Sequence, residues 1–208
     1  MEIKINYIKE MCDKILSEVV LQVGKKEFVV DVDLYWFVGS DDLKKVTCTP
    51  PNIIVGSLID DLDSLDKVLI KKVPATAVDF ERFGNVVKVL GSCLSSGNLI
   101  VYEDSFCDSP KIEICKLLNL CEMLYNKLEK AEISKITFDF NDYWTVKNKN
   151  VCDVNPPDLK VQNIKEDLNR LMCVLDDNSI WDVNDIGRLG NVIIVTYALT
   201  SWVPIISV

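Results

Sequence analysis

Carboxylates are the side chains of this 208-residue chain that could do chemistry, and they fall into two groups. Asp31 and Asp33 alternate along a predicted strand, so both carboxylates point to the same face. Two carboxylates on one face could bind a divalent cation such as Mg²⁺ or Mn²⁺. One interpretation of the chain is therefore a metal-dependent enzyme with Asp31 and Asp33 as ligands.

The second group of carboxylates lies on the helix predicted to follow that strand. No Lys or Arg occurs between residues 51 and 66, although this stretch holds four aspartates. A negative surface without compensating cations attracts a basic partner and speeds its association. The partner-binding residues predicted on this basis, with the neighbouring strand included, are Asp31, Asp33, Tyr35, Asp60, Asp61, Asp63 and Asp66.

Other kinds of chemistry find little support. The chain contains no histidine, which removes the commonest general base and the Ser-His and Cys-His nucleophile arrangements. It contains neither a Gly-rich phosphate loop nor a nucleophile elbow. Its eight cysteines include no Cys-x-x-Cys pair, so we predict buried, reduced thiols and no zinc site with short ligand spacing. No catalytic residue and no cofactor is predicted.

Composition and charge narrow the class of protein further. Apolar residues make up 49% of the chain, which is enough for a core, and the formal net charge is −9. Such a charge repels phosphate backbones and disfavours nucleic-acid binding. No apolar run approaches the roughly 18 residues that a membrane span needs. The first residues do not resemble a secretory signal, so we expect a cytoplasmic protein.

An internal repeat determines the architecture that we predict. Residues 56–69 and 162–175 both read as amphipathic helices with an apolar stripe, 106 positions apart. Each begins with a capping pair, Ser57 with Asp60 and Asn163 with Glu166. The same caps and stripe with different residues indicate one structural unit present twice.

The other predicted elements recur with similar offsets. They are the helices 3–20 and 111–130, the strands 27–37 and 136–144, the strands 52–55 and 158–161, and the helices 76–90 and 182–195. We therefore predict an α+β fold of two tandem homologous units, each made of a helix, a β-hairpin and two helices. A pseudo-two-fold axis would relate the units, and their strands would form an antiparallel sheet. The predicted boundaries are 1–95 for the first unit, 96–110 for a packed connector and 111–208 for the second unit.

Two details of this arrangement can be tested directly. Gly84 and Gly190 occupy equivalent helix positions, where glycine costs about 1 kcal/mol relative to alanine. We expect the two helices to cross there. Along the strand, alternation places Leu34 and Trp36 on one face and Asp33 and Tyr35 on the other. We expect the carboxylates to be solvated, and we expect the aromatic pair Tyr35 and Trp36 to anchor the core.

The strand and the helix that follows it also carry a resemblance. Asp33-x-Tyr35-Trp36 and Gly56-Ser57-Leu58-x-Asp60-Asp61 resemble a family of uncharacterised small bacterial proteins, in which a Tyr-Trp strand precedes a Gly-Ser-x-x-Asp-Asp helix. The resemblance covers residues 28–90 and, more weakly, 136–195. Because that family has no established activity, the resemblance implies no catalytic residues. Its presence in both stretches agrees with the internal repeat.

The function that we predict is non-enzymatic protein binding in the cytoplasm. Its most concrete form is an immunity-type inhibitor, in which the acidic surface of the first unit occludes a basic toxin such as a nuclease. The metal-dependent enzyme with Asp31 and Asp33 is the first alternative. The second alternative is a structural or assembly subunit, which would use the apolar segment 202–208 as an interface.

Overall fold

A computed structural model describes residues 2–30, 33–46, 49–96, 109–146, 157–176 and 179–200 of the chain. Three predicted features lie wholly or largely outside the described residues. They are Asp31 of the partner-binding set, most of the connector 96–110, and the apolar segment 202–208.

The fold is a mixture of helices and short strands, as predicted. The helices are α1 (Ile5–Val23), α2 (Ser40–Leu43), α3 (Leu58–Leu69), α4 (Val78–Ser96), α5 (Ile114–Lys130), α6 (Ile164–Leu175) and α7 (Val183–Thr200). The strands are β1 (Glu2–Lys4), β2 (Glu27–Val29), β3 (Leu34–Val38), β4 (Ile53–Ser57), β5 (Lys111–Glu113), β6 (Lys135–Thr137), β7 (Asp142–Val146) and β8 (Leu159–Asn163).

The strands of the described residues form four antiparallel pairs, so the prediction of one shared sheet is wrong. β1 pairs with β6, β2 with β5, β3 with β4, and β7 with β8. Within the predicted strand 27–37 the structure has two strands, β2 ending at Val29 and β3 beginning at Leu34, and residues 31 and 32 between them lie outside the described residues. The two strands pair in different places: β2 with a strand from the second half of the chain, and β3 with β4.

The helices α4 and α7 are in close contact at Gly84 and Gly190. A Cβ built on Gly84 would lie 2.8 Å from the carbonyl oxygen of Gly190. A Cβ built on Gly190 would lie 2.6 Å from the carbonyl oxygen of Gly84. Both distances are too short for a real side chain, so the two backbones are in direct contact. The predicted crossing at these glycines is confirmed.

The apolar stripes of α1 and α5 enter the same core, and this determines the state of several cysteines. Cys12 and Cys121 are buried with the stripes that contain them, and Cys93 on α4 is also buried. Burial raises the pKa of the Cys12 thiol. Cys115 and Cys173 are free and exposed, so the expectation of buried thiols fails for these two.

The predicted faces of the strand hold for Trp36, which is partly buried against the core, and fail for Leu34 and Tyr35. Tyr35 is only 4% exposed, whereas Leu34 is 47% exposed. The prediction treated β2 and β3 as one strand, whereas they pair with different partners, so a single alternation need not run through both. The phenol of Tyr35 can be buried because it has a carboxylate partner, Asp61.

In the described part of the chain, none of the helices combines the length and the apolar character that spanning a membrane requires.

Candidate functional site

Asp61, one of the predicted partner-binding residues, belongs to a polar cluster that joins three elements. It accepts a hydrogen bond from the hydroxyl of Tyr35 on β3. Arg82 on α4 places its Nε 3.6 Å from Asp61 Oδ1, and its Nη1 donates to Asp79 Oδ1 at 2.8 Å. Burial raises the pKa of Asp61, although the hydrogen bond from Tyr35 and the charge of Arg82 act in the opposite direction. Asp61 therefore holds β3, α3 and α4 together.

The second half of the chain contains an equivalent cluster. Tyr143 donates a hydrogen bond to Asp167, whose Oδ1 lies 3.6 Å from Nε of Arg188. Arg188 Nη1 donates to Asp185 Oδ1 at 2.6 Å. We did not predict either cluster, although Tyr, Asp and Arg recur in both halves at offsets of 106 to 108 (143 − 35 and 188 − 82). This recurrence was the available signal.

Asp33, the second residue of the alternative metal site, is part of the cap of α3. Its Oδ1 accepts hydrogen bonds from Ser57 Oγ at 2.9 Å and from the amide of Ile59 at 2.8 Å. Ser57 Oγ in turn accepts from the amide of Asp60 at 3.1 Å, so the predicted N-cap is confirmed. Among the described residues, no three His, Cys, Asp or Glu side chains come together in a way that could hold a metal ion.

The aspartates of α3 differ in whether they have a cationic partner. Lys116 on α5 places its Nζ 2.8 Å from Asp66 Oδ2 and 3.0 Å from Glu113 Oε1. The hydrogen bond to Asp66 is the main reason that the pKa of Lys116 is raised. Asp61 has Arg82 as its neighbour. Since both cations come from distant parts of the sequence, the local absence of Lys and Arg did not reveal them.

Asp60 and Asp63 are the two remaining acids of this helix. Both are exposed, and neither forms an ion pair with any residue that the structure describes. They lie three residues apart, so their carboxylates are on the same side of α3. The negative surface expected for the first half of the chain is therefore centred on these two.

Exposed apolar side chains occur on the same helix and on the two strands that adjoin it. Ile59, the residue before Asp60, is exposed. Its amide donates a hydrogen bond to Asp33, and the next residue, Leu34 of β3, is also exposed. Leu34 pairs with Ser57 in the register of β3 and β4, so Val55 lies diagonally across on the same face. We call this combination the acidic–apolar surface, defined as Leu34, Val55, Ile59, Asp60 and Asp63.

The corresponding positions of the second half have a different character. They are Asp142, Val161, Lys165, Glu166 and Asn169. Asp142 accepts a hydrogen bond from Asn163 Nδ2 at 2.8 Å, and a lysine stands in place of Ile59. A cleft of about 440 Å³ opens beside these residues, and its two arginines, Arg170 and Arg188, already pair with carboxylates.

Arg170 is the clearest difference between the two halves near this surface. It replaces Ser64 of the first half (170 − 106) and donates to both carboxylate oxygens of Asp185, at 3.0 and 2.7 Å. Its guanidinium also donates to Ser179 Oγ and to the carbonyl of Ile180. In the second half Arg170 thus adds a cation to the cluster of Asp185 and Arg188. In the first half the equivalent residue is Ser64, and Asp60 and Asp63 have no ion pair with the described residues.

Comparisons of the chain with protein-family models, with curated proteins and with solved structures gave no match. The family resemblance inferred from the Tyr-Trp strand and the Asp-Asp helix stays a prediction.

Proposed function

We propose that this chain is a non-enzymatic cytoplasmic protein that binds a positively charged protein through its acidic–apolar surface. The observation that carries the proposal is the pair of exposed carboxylates Asp60 and Asp63, which have no ion pair within the described residues. Ile59 on the same helix is exposed, and so are Leu34 and Val55 on the strands that adjoin it. Exposed acids speed the encounter with a basic partner, and apolar side chains supply the desolvated centre that prolongs the complex.

The partner class that suits this surface best is a basic toxin such as a nuclease, with the chain acting as its immunity-type inhibitor. An enzyme that acts on phosphodiesters needs cations in its active site, and an acidic surface can occlude them. The net charge of −9 acts in the same direction, because it attracts the same class of partner from a distance.

We further propose that residues 1–95 and 111–208 are homologous copies related by a pseudo-two-fold axis. Reciprocal contacts support this proposal: β1 pairs with β6 and β2 with β5, so the first strand of each half meets the second strand of the other. The glycine contact between α4 and α7 is reciprocal as well. Duplication would leave one copy free to acquire a binding surface while the internal clusters of both stay alike.

The test compares matched variants of the two halves. The wild-type chain, the double variant Asp60→Asn/Asp63→Asn and the control Asp142→Asn/Glu166→Gln are immobilised and exposed to native lysate at about 50 mM and about 300 mM salt. We expect the wild type and the control to capture a basic protein at low salt. Capture should fall roughly tenfold with the first double variant and with added salt, which corresponds to about 1.4 kcal/mol.

Two results would contradict the proposal. One is equal capture by the wild type and by the Asp60/Asp63 variant. The other is saturable binding of Mg²⁺, Mn²⁺ or Ca²⁺ in calorimetry that Asp33→Asn abolishes, since this would favour the metal-dependent enzyme.

A further inference from the structure

The outer edge of β4 presents backbone groups that have no strand partner among the described residues. The amide of Leu58 donates to the carbonyl of Asp33 at 2.7 Å, which places Asp33 and Leu58 opposite each other as a hydrogen-bonded pair. Hydrogen-bonded pairs alternate with non-bonded pairs in an antiparallel ladder. The N–H and C=O groups of Ile53 and Val55 therefore point away from β3, the strand with which β4 pairs.

The side chains along this edge are apolar and accessible. Ile54 is 45% exposed and Val55 is 44% exposed, on opposite faces of the strand. An open edge with exposed apolar side chains is a template for pairing with another strand, and proteins usually protect such edges with charged residues or proline.

The equivalent edge of β8 has this protection. Its register is the same, because the amide of Ile164 donates to the carbonyl of Asn141 at 2.8 Å. Lys160 stands in the position of Ile54, and Asp158 in the position of Asn52. Val161 is exposed as Val55 is, so the charged residues are what distinguishes the two edges. Of the two equivalent edges, the one without charged protection therefore belongs to the half that carries the acidic–apolar surface.

We infer that β4 binds an extended strand of the basic partner, which continues the β3–β4 ladder by backbone hydrogen bonds to Ile53 and Val55. This inference rests on the proposed function and specifies how the partner binds. α3 begins directly after β4, so Asp60 and Asp63 lie beyond the end of the edge. They favour a strand flanked by Lys or Arg. A second copy of this chain fits poorly, since it would bring the same aspartates and a charge of −9 to the contact.

The experiment displays random peptides of about 12 residues, enough for a strand with both flanks, and selects those that bind the intact chain. We expect the selected peptides to alternate apolar residues and to carry Lys or Arg at a flank. The amides of Ile53 and Val55 should exchange hydrogen more slowly when a selected peptide is bound, while the amides of Leu159 and Val161 should not change.

Two variants of the β4 edge and one control test the geometry. Ile54→Lys copies Lys160 of the second half, and Val55→Pro removes an outward N–H at an edge position where proline is tolerated. Both should weaken the selected peptides roughly tenfold or more. Val161→Pro should leave binding unchanged, and melting curves identify any variant that fails to fold.

Failure of this inference is distinguishable from failure of the proposed function. Capture of a basic protein that depends on Asp60 and Asp63 but is unaffected by Ile54→Lys and Val55→Pro would overturn strand addition alone. No enrichment of peptides, enrichment of acidic peptides, or a concentration-dependent dimer abolished by Val55→Pro would overturn it as well. Loss of peptide binding in the β4 variants with no effect of Asp60→Asn/Asp63→Asn would support strand addition and contradict the basic partner.

Discussion

Gly84 on α4 and Gly190 on α7 touch backbone to backbone, so that a Cβ on either would overlap the carbonyl oxygen of the other. The contact explains why two helices in the centre of the molecule accept a residue that costs about 1 kcal/mol in a helix. Side chains of the adjoining turns, including Val87 and Val195, are fully buried. The close approach is therefore part of the core.

Replacing Gly190 with alanine should destabilise the fold by about 2 kcal/mol, because the obstructing atom is a main-chain oxygen that cannot rotate away. Unfolding in urea measures the change. Gly187→Ala, one turn earlier in α7, is the matched control, since nothing lies within 4 Å of the added Cβ. It should stabilise the chain by up to about 1 kcal/mol. Equal free energies of unfolding for the two variants would refute the account.

Removing the hydroxyl of Tyr35 should leave the partly buried carboxylate of Asp61 without one of its hydrogen-bond donors. Tyr35→Phe should cost about 1 to 3 kcal/mol at pH 7. The pKa of Asp61 is already raised by burial, and losing the hydrogen bond from Tyr35 should raise it further. A raised pKa in the folded state means that stability falls as pH increases through that value. The cost of Tyr35→Phe should therefore be smaller near pH 4.5 than at pH 7.

Tyr7→Phe is the control for this prediction, because Tyr7 is exposed and its hydroxyl has no hydrogen bond with the described residues. Urea titrations of both variants at the two pH values give the comparison. A cost for Tyr35→Phe that does not change with pH would show that Asp61 does not titrate as argued.

The features that sequence predicted correctly depend on neighbours in the chain. The caps of α3 and α6 formed as expected because Ser57 and Asn163 bond to amides two or three residues away. The glycine crossing could also be predicted, since an unfavourable residue that recurs at one helix position needs a packing reason.

The features that sequence did not predict depend on distant residues. Asp61 and Asp66 seemed to lack cations, yet Arg82 and Lys116 reach them from other helices. The carboxylate that accepts from the buried hydroxyl of Tyr35 belongs to Asp61, which lies 26 residues away. The different partners of β2 and β3 have the same origin, because β2 pairs with β5 from the second half of the chain and β3 with β4. The fold class can be predicted from local periodicity. Which aspartates of α3 are paired with cations and which stay exposed depends on the tertiary contacts.

Arg170 should contribute to the stability of the second half through Asp185. Burial alone would raise the pKa of Asp185, but hydrogen bonds from Arg170, from the Asp182 amide and from Arg188 outweigh it and lower the pKa. Arg170→Ser, which copies Ser64, should cost about 2 kcal/mol at pH 7, since Arg188 still pairs with Asp185.

The pH dependence of that loss follows from the lowered pKa of Asp185. The paired carboxylate stabilises the fold above the pKa of the unfolded chain and ceases to do so as pH falls through the lowered value. The cost of Arg170→Ser should shrink in acid. Lys165→Ser, at an exposed position of the same helix, should change the free energy of unfolding by less than about 0.5 kcal/mol. A comparable loss in both variants would contradict the role of Arg170.

Lys88 is the buried cation of the core, and its charge should make stability depend on pH in the alkaline range. It passes Gly190 and donates to Thr145 Oγ1 at 3.0 Å, and no carboxylate of the described residues forms an ion pair with it. Burial lowers its pKa to about 8. The unfolded chain therefore binds this proton more strongly than the folded chain between that value and the ordinary pKa of about 10.4. Stability should rise with pH through this window.

Lys88→Met removes the titration of Lys88. The exposed control Lys72→Met also loses one lysine but keeps Lys88, and both variants keep all the tyrosines and cysteines that titrate in the same pH range. At pH 7 the buried ammonium is charged and lowers the free energy of unfolding. The free energy of unfolding of Lys88→Met relative to the wild type should therefore be greatest at this pH. Between pH 7 and pH 9.5 that difference should fall by about 2 kcal/mol as the wild-type amine becomes neutral in the folded state. Urea unfolding of the three proteins across this range provides the measurement. A difference between Lys88→Met and the wild type that stays constant with pH would mean that Lys88 keeps its ordinary pKa in the folded chain.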